Sequence, residues 1–141
     1  MVDINGAKFS EDNALNVQIG GSHYKNRWVQ PIELSMLNGL NACQHSIVKY
    51  LTRKKHQDDL KKAAHFCELW LAVVEKYTLH FPRPNQLHAE VVAYTQANDM
   101  TTEETMILEL ILCYPNSINI LQARDMLLLM DKQRREGDAP E

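Results

Sequence analysis

Glycine is scarce in this chain of 141 residues: Gly6, Gly20, Gly21, Gly39 and Gly137 are the five present. No G-x-x-x-x-G-K-[ST] and no G-x-G-x-x-G can be built from them, which excludes a Walker-type or dinucleotide-type phosphate cradle. Phosphate chemistry would have to rest on side-chain cations, with one diglycine turn, Gly20-Gly21, whose backbone is free to converge amides on an anion. Cysteine is as sparse. Cys43, Cys67 and Cys113 are odd in number and none neighbours another, so they predict reduced, mostly buried thiols rather than a disulfide or zinc framework. Long apolar runs are missing too: the longest, Leu69 to Val74, falls far short of the roughly 20 residues a membrane helix needs. The first residues carry Asp3, Glu11 and Asp12 and no apolar h-region, so no signal peptide is expected. Together these absences predict a cytoplasmic protein with no membrane partner.

Alternation with a period of two is also absent, and what is present has helical period. With 45% apolar and 23% charged residues, the composition is that of a globular domain. Residues 1–19 read as a polar N-terminal arm. Pro31 suits a helix's first position, with Glu33 in the first turn, and Gly39 ends that helix. Asn41 is placed to cap a second helix over about residues 42–54, with Ile47, Val48 and Leu51 on its apolar face. Asp58 or Asp59 caps a third, running to about Leu79 before Pro82 and Pro84. Its stripes, Leu60, Ala63, Cys67, Leu71 and Val74 beside Phe66, Trp70, Val73 and Tyr77, are wide enough for burial against more than one partner. Beyond the boundary at Phe81-Pro82-Arg83-Pro84, a helix over about 85–97 carries Leu87, Val91 and Tyr94. Thr101-x-x-Glu104 is a capping box, and Ser117 is placed to cap a last helix over about 118–135. The expected fold is all-α: a helical domain over 20–81 with a long central buried helix, and an appended C-terminal group of helices over 84–141.

Charge is segregated. Between His45 and Lys62 six Lys/Arg face two acids, whereas between Asn85 and Asp125 six acids face Arg124 alone. The net charge of -3 gives no sign of specific nucleic-acid binding. His45, Lys49 and Arg53 follow at four-residue steps and form a row on one helix face. Arg53 offers a fork and Lys49 a point charge for phosphate oxygens; the alternative is a solvated face, or pairing with the acidic half. His23, Tyr24 and Lys25, after the diglycine, suit phosphate binding or proton transfer, base stacking and charge neutralisation, or else a loop packed on the core. Asp58 and Asp59 suit either Mg²⁺ or a helix cap. No histidine pair has H-x-x-x-H spacing.

Ser22-His23-Tyr24 after small residues, then Lys49-Tyr50-x-x-Arg53, then Asp59-Leu60-x-Lys62-Ala63, resembles a small family of tailed-phage proteins, catalogued as a domain of unknown function. The family includes a deoxynucleoside monophosphate kinase that lacks a Walker motif. The resemblance implies a nucleotide kinase or its relative in the cytoplasm of an infected bacterial host, with ATP and Mg²⁺ as cofactors. It implies catalytic roles for His23, Lys49 and Arg53, substrate contacts from Gly21, Ser22, Tyr24, Lys25 and Tyr50, and a metal role for Asp58 and Asp59. Where relatives carry Gly-Asn before the Lys-Tyr element, this chain has Gln44-His45-Ser46. That departure motivates a second expectation, a non-catalytic protein that sequesters a nucleotide or nucleotide signal. The unmatched C-terminal half motivates a third, a helical adaptor acting on a host protein. The wide apolar faces predict a homo-oligomer.

Overall fold

A computed structural model describes residues 14–16, 29–84 and 87–138. Among the described residues there are six α-helices and no strand, an all-α architecture. They are α1 Pro31–Asn38, α2 Ala42–Arg53, α3 Asp59–Tyr77, α4 His88–Ala97, α5 Thr102–Leu108 and α6 Ser117–Asp138. A π-helical turn, Glu109–Cys113, prolongs α5. Of the N-terminal arm only the 3-10 turn Ala14–Asn16 is described.

Local chemistry accounts for most of these boundaries. Pro31 occupies the first turn of α1, where its missing N–H is harmless, and Gly39 closes the helix at φ +62°. At the start of α2 the Asn41 side chain accepts from the Gln44 amide at 2.8 Å, and Gln44 Oε1 accepts from the Asn41 amide at 2.9 Å. Thr101 and Glu104 make the same reciprocal pair at α5, with distances of 3.2 and 2.9 Å. Five ends differ from expectation. Neither aspartate caps α3, since Asp58 makes no side-chain bond at the cap position and Asp59 accepts from the His56 amide, and α4 begins at His88 rather than near residue 85. α3 stops at Tyr77, because Thr78 turns left-handed and the Leu79 amide bonds back to the Val74 carbonyl at 3.0 Å. At α6 the cap is Asn116, not Ser117: its Oδ1 accepts from the Asn119 amide at 2.8 Å. The last helix also runs through Gly137 to Asp138, since one glycine lowers helix propensity by only about 1 kcal/mol.

α3 lies between α2 and α6, and α6 runs antiparallel to it. Arg135 pairs with Asp58 and Arg124 with Glu68, so the numbers rise along one helix as they fall along the other. One apolar cluster joins Ile47, Val48 and Leu51 of α2, Leu60, Ala63 and Trp70 of α3, Tyr94 of α4, Ile107 of α5 and Leu127 of α6. It therefore spans both sides of the Phe81–Pro84 segment. Buried polar side chains fasten the same elements: Gln44 Nε2 donates to the Ile111 carbonyl at 2.9 Å, and Thr52 and Tyr94 share a 2.6 Å hydroxyl bond. Cys67 and Cys113 are buried and Cys43 half-buried, all as free thiols. Burial pushes the Cys67 thiol up to about 12. The second stripe expected on α3 is only partly covered, since Trp70 is buried but Val73 and Tyr77 are 42% and 62% exposed.

Candidate functional site

The α2 face that carries the basic row meets the first half of α3, and Tyr50 stands at their junction. Its ring stacks on Phe66 of α3 with centroids 5.9 Å apart and planes 19° from parallel. Three cations gather within cation–π range of that ring: Lys49 Nζ at 4.8 Å, the Arg53 guanidinium at 5.0 Å and Lys62 Nζ at 5.5 Å. Helix geometry explains the convergence. Lys49 and Arg53 are one turn apart on α2, and the α2–α3 crossing brings Lys62 in from the other helix.

Asp59 anchors the cluster from below. Arg53 Nη2 donates to Asp59 Oδ1 at 2.6 Å and Arg53 Nε to Oδ2 at 3.2 Å, while the His56 amide donates to Oδ2 at 3.0 Å. Burial by itself would raise the Asp59 carboxyl; the bonds from Arg53 and His56 outweigh it and hold the group below its ordinary range. Arg53 is thus tied to a fully buried carboxylate, while Lys49 and Lys62 share the face of the same ring.

His45 opens the row but faces a different neighbour, its Nδ1 lying 2.7 Å from Ser35 Oγ. Burial first, and the charge of Lys49 second, lower the His45 pKa, so the ring is neutral at neutral pH. Asp58 and Asp59, grouped in the sequence as Mg²⁺ candidates, are split by the fold. Asp59 turns inward to Arg53, and the exposed Asp58 accepts from Arg135 at 3.2 Å. No three His, Cys, Asp or Glu residues among the described residues are arranged to hold a metal ion. Gly21, Ser22, His23, Tyr24 and Lys25 lie outside the described residues.

Thus Lys49, Tyr50 and Arg53 are brought together, and Asp59 joins them as a support for Arg53. Sequence reasoning missed Lys62 and Phe66 as members of the cluster. The basic run that includes Lys62 was legible, but which helix face it shares with Tyr50 depends on the α2–α3 crossing. No family model, no curated protein and no solved structure matches the chain.

Proposed function

We propose that this protein binds the phosphate of a nucleotide on the face around Tyr50. The observation that carries the reading is the gathering of Lys49, Arg53 and Lys62 around one aromatic ring, with Arg53 held in direction by Asp59. Three cations converging on one ring offer a phosphate dianion several charge-assisted hydrogen bonds at once. Arg53, oriented by Asp59, is a directed donor, and Lys49 and Lys62 add point charges at the same ring.

Phosphoryl transfer depends mainly on positioning and charge neutralisation, and a rigid cationic face supplies part of both. The activity that such binding would serve is transfer from ATP to a deoxynucleoside monophosphate. The carboxylates named for Mg²⁺ do not fit a cation site here, because both oxygens of Asp59 already accept hydrogen bonds and Asp58 pairs with Arg135. A coupled assay with ATP and each deoxynucleoside monophosphate tests the kinase reading. Turnover that falls in Lys62→Ala supports it, and no turnover by the wild type removes it.

A second reading, nucleotide sequestration without catalysis, is favoured by Gln44. In the segment that departs from the phage pattern, this side chain is spent on the Asn41 amide and the Ile111 carbonyl, a structural tie between α2 and the π-helical turn after α5. Stoichiometric nucleotide binding without product would select it.

A further inference from the structure

Two recesses that share Arg134 lie at the α2 C-terminus, lined mostly by the C-terminal half of the chain. One part, about 540 Å³, is floored by Leu60 and Met130 and edged by Thr101, Glu103 and Gln133. The other, about 490 Å³, is lined by Lys55, Gln57, Arg134 and Arg135. Arg134 lines both.

The cations at the second part are held from behind. Arg134 donates to the Lys54 and Lys55 carbonyls at 2.7 and 3.2 Å, where α2 has ended and its last carbonyls need donors. Arg135 donates through Nε to the buried Asp131 at 2.9 Å and through Nη2 to Asp58 at 3.2 Å and the Gln57 carbonyl at 3.4 Å. Asp131 Oδ1 is buried without a hydrogen-bond partner, so this carboxylate serves Arg135 alone. Each guanidinium keeps further N–H groups beyond these bonds, and Lys55 is exposed beside them. At the first part the charges differ. Lys54 Nζ is spent on both oxygens of the buried Glu104 at 2.7 Å, and Glu103 and Arg134 are the other charged residues that line it. The recess is therefore polarised: one end has Lys55, Arg134 and Arg135 against Asp58 and Asp131, and the other has an apolar floor with an acidic and amide rim.

We infer that this recess binds a small organic anion whose flat or apolar body lies over Leu60 and Met130 and whose terminal phosphate or carboxylate meets Lys55, Arg134 and Arg135. An apolar floor with a few convergent polar groups is the usual composition of a small-ligand site. Fixed guanidiniums lose little freedom when an oxyanion arrives. The lining shares no residue with the Tyr50 cluster, and the inference stands without that reading.

The test is calorimetric titration of the full chain with phenyl phosphate, benzoate and inorganic phosphate, on wild type and on Lys55→Gln, Arg134→Gln and Lys49→Ala/Lys62→Ala. Phenyl phosphate or benzoate is expected to bind more tightly than inorganic phosphate, and whichever of the two is tighter identifies the preferred head group. Lys55→Gln, which disturbs no helix end, is expected to weaken that binding about fivefold to tenfold, and in Lys49→Ala/Lys62→Ala, where the Tyr50 face no longer takes phosphate, an aryl-anion site of the same affinity is expected to remain. Arg134→Gln is read only if its melting temperature holds. Equal affinity for inorganic phosphate and the aryl anions, or unchanged binding in Lys55→Gln, overturns the inference. So does loss in Lys49→Ala/Lys62→Ala alone, which assigns the aryl anions to the Tyr50 face.

Discussion

Arg53 and Asp59, six residues apart across the turn between α2 and α3, are joined by two hydrogen bonds of 2.6 and 3.2 Å, with the carboxylate fully buried. The pair fixes the crossing of the two helices and the direction of the guanidinium beside Tyr50. Structure and candidate site thus share one residue, and substitutions at Arg53 report on both.

Removing the cation leaves a buried carboxylate uncompensated. Arg53→Ala is expected to lower the unfolding free energy by about 3 kcal/mol, measured by urea denaturation at neutral pH. Because the folded Asp59 pKa lies below its ordinary 3.8, the pair's contribution is present above that value and is lost as pH falls through 3.8 towards the depressed pKa. The acid-dependent part of stability in that window should shrink in Arg53→Ala. A variant as stable as wild type, with the same acid profile, would show the pair to be incidental.

The bond between Lys54 and Glu104 ties the end of α2 to the start of α5, with the carboxylate 1% exposed. Lys54→Met should cost about 3 kcal/mol, and the double variant Lys54→Met/Glu104→Gln, which keeps the side-chain oxygen that accepts from the Thr101 amide, should recover much of that. Thermal melts of the three proteins decide it; additive losses in the double variant would speak against direct coupling.

His45 titrates with a folded pKa below its ordinary 6.5. The unfolded chain then binds the proton more readily, so stability should decline as pH falls below 6.5 and level off under the depressed folded value. The ring signals in proton NMR should show a low midpoint that rises in Lys49→Ala, because one of the two lowering causes is gone. A midpoint at or above 6.5 in the wild type contradicts this placement of the ring.

The sequence made the helices legible because their ends are written locally: Pro31, Gly39, the Asn41–Gln44 pair and the Thr101–Glu104 pair sit where the caps form. The end of α3 was less legible, since the left-handed residue there is Thr78 rather than glycine. At the site, Lys49 and Arg53 could be placed on one face from spacing alone. Lys62 and Phe66 could not, because their nearness to Tyr50 depends on how two helices cross. The two roles of Asp58 and Asp59 were hidden for the same reason, as neighbours in sequence they point to different arginines.

Calorimetric titration of the wild type, Lys49→Ala and Lys62→Ala with the four deoxynucleoside monophosphates tests the central claim most directly. Binding by the wild type, weakened about tenfold in each variant while unfolding free energy stays within about 1 kcal/mol, is the predicted result. No binding by the wild type, or equal affinity in all three proteins, would contradict it.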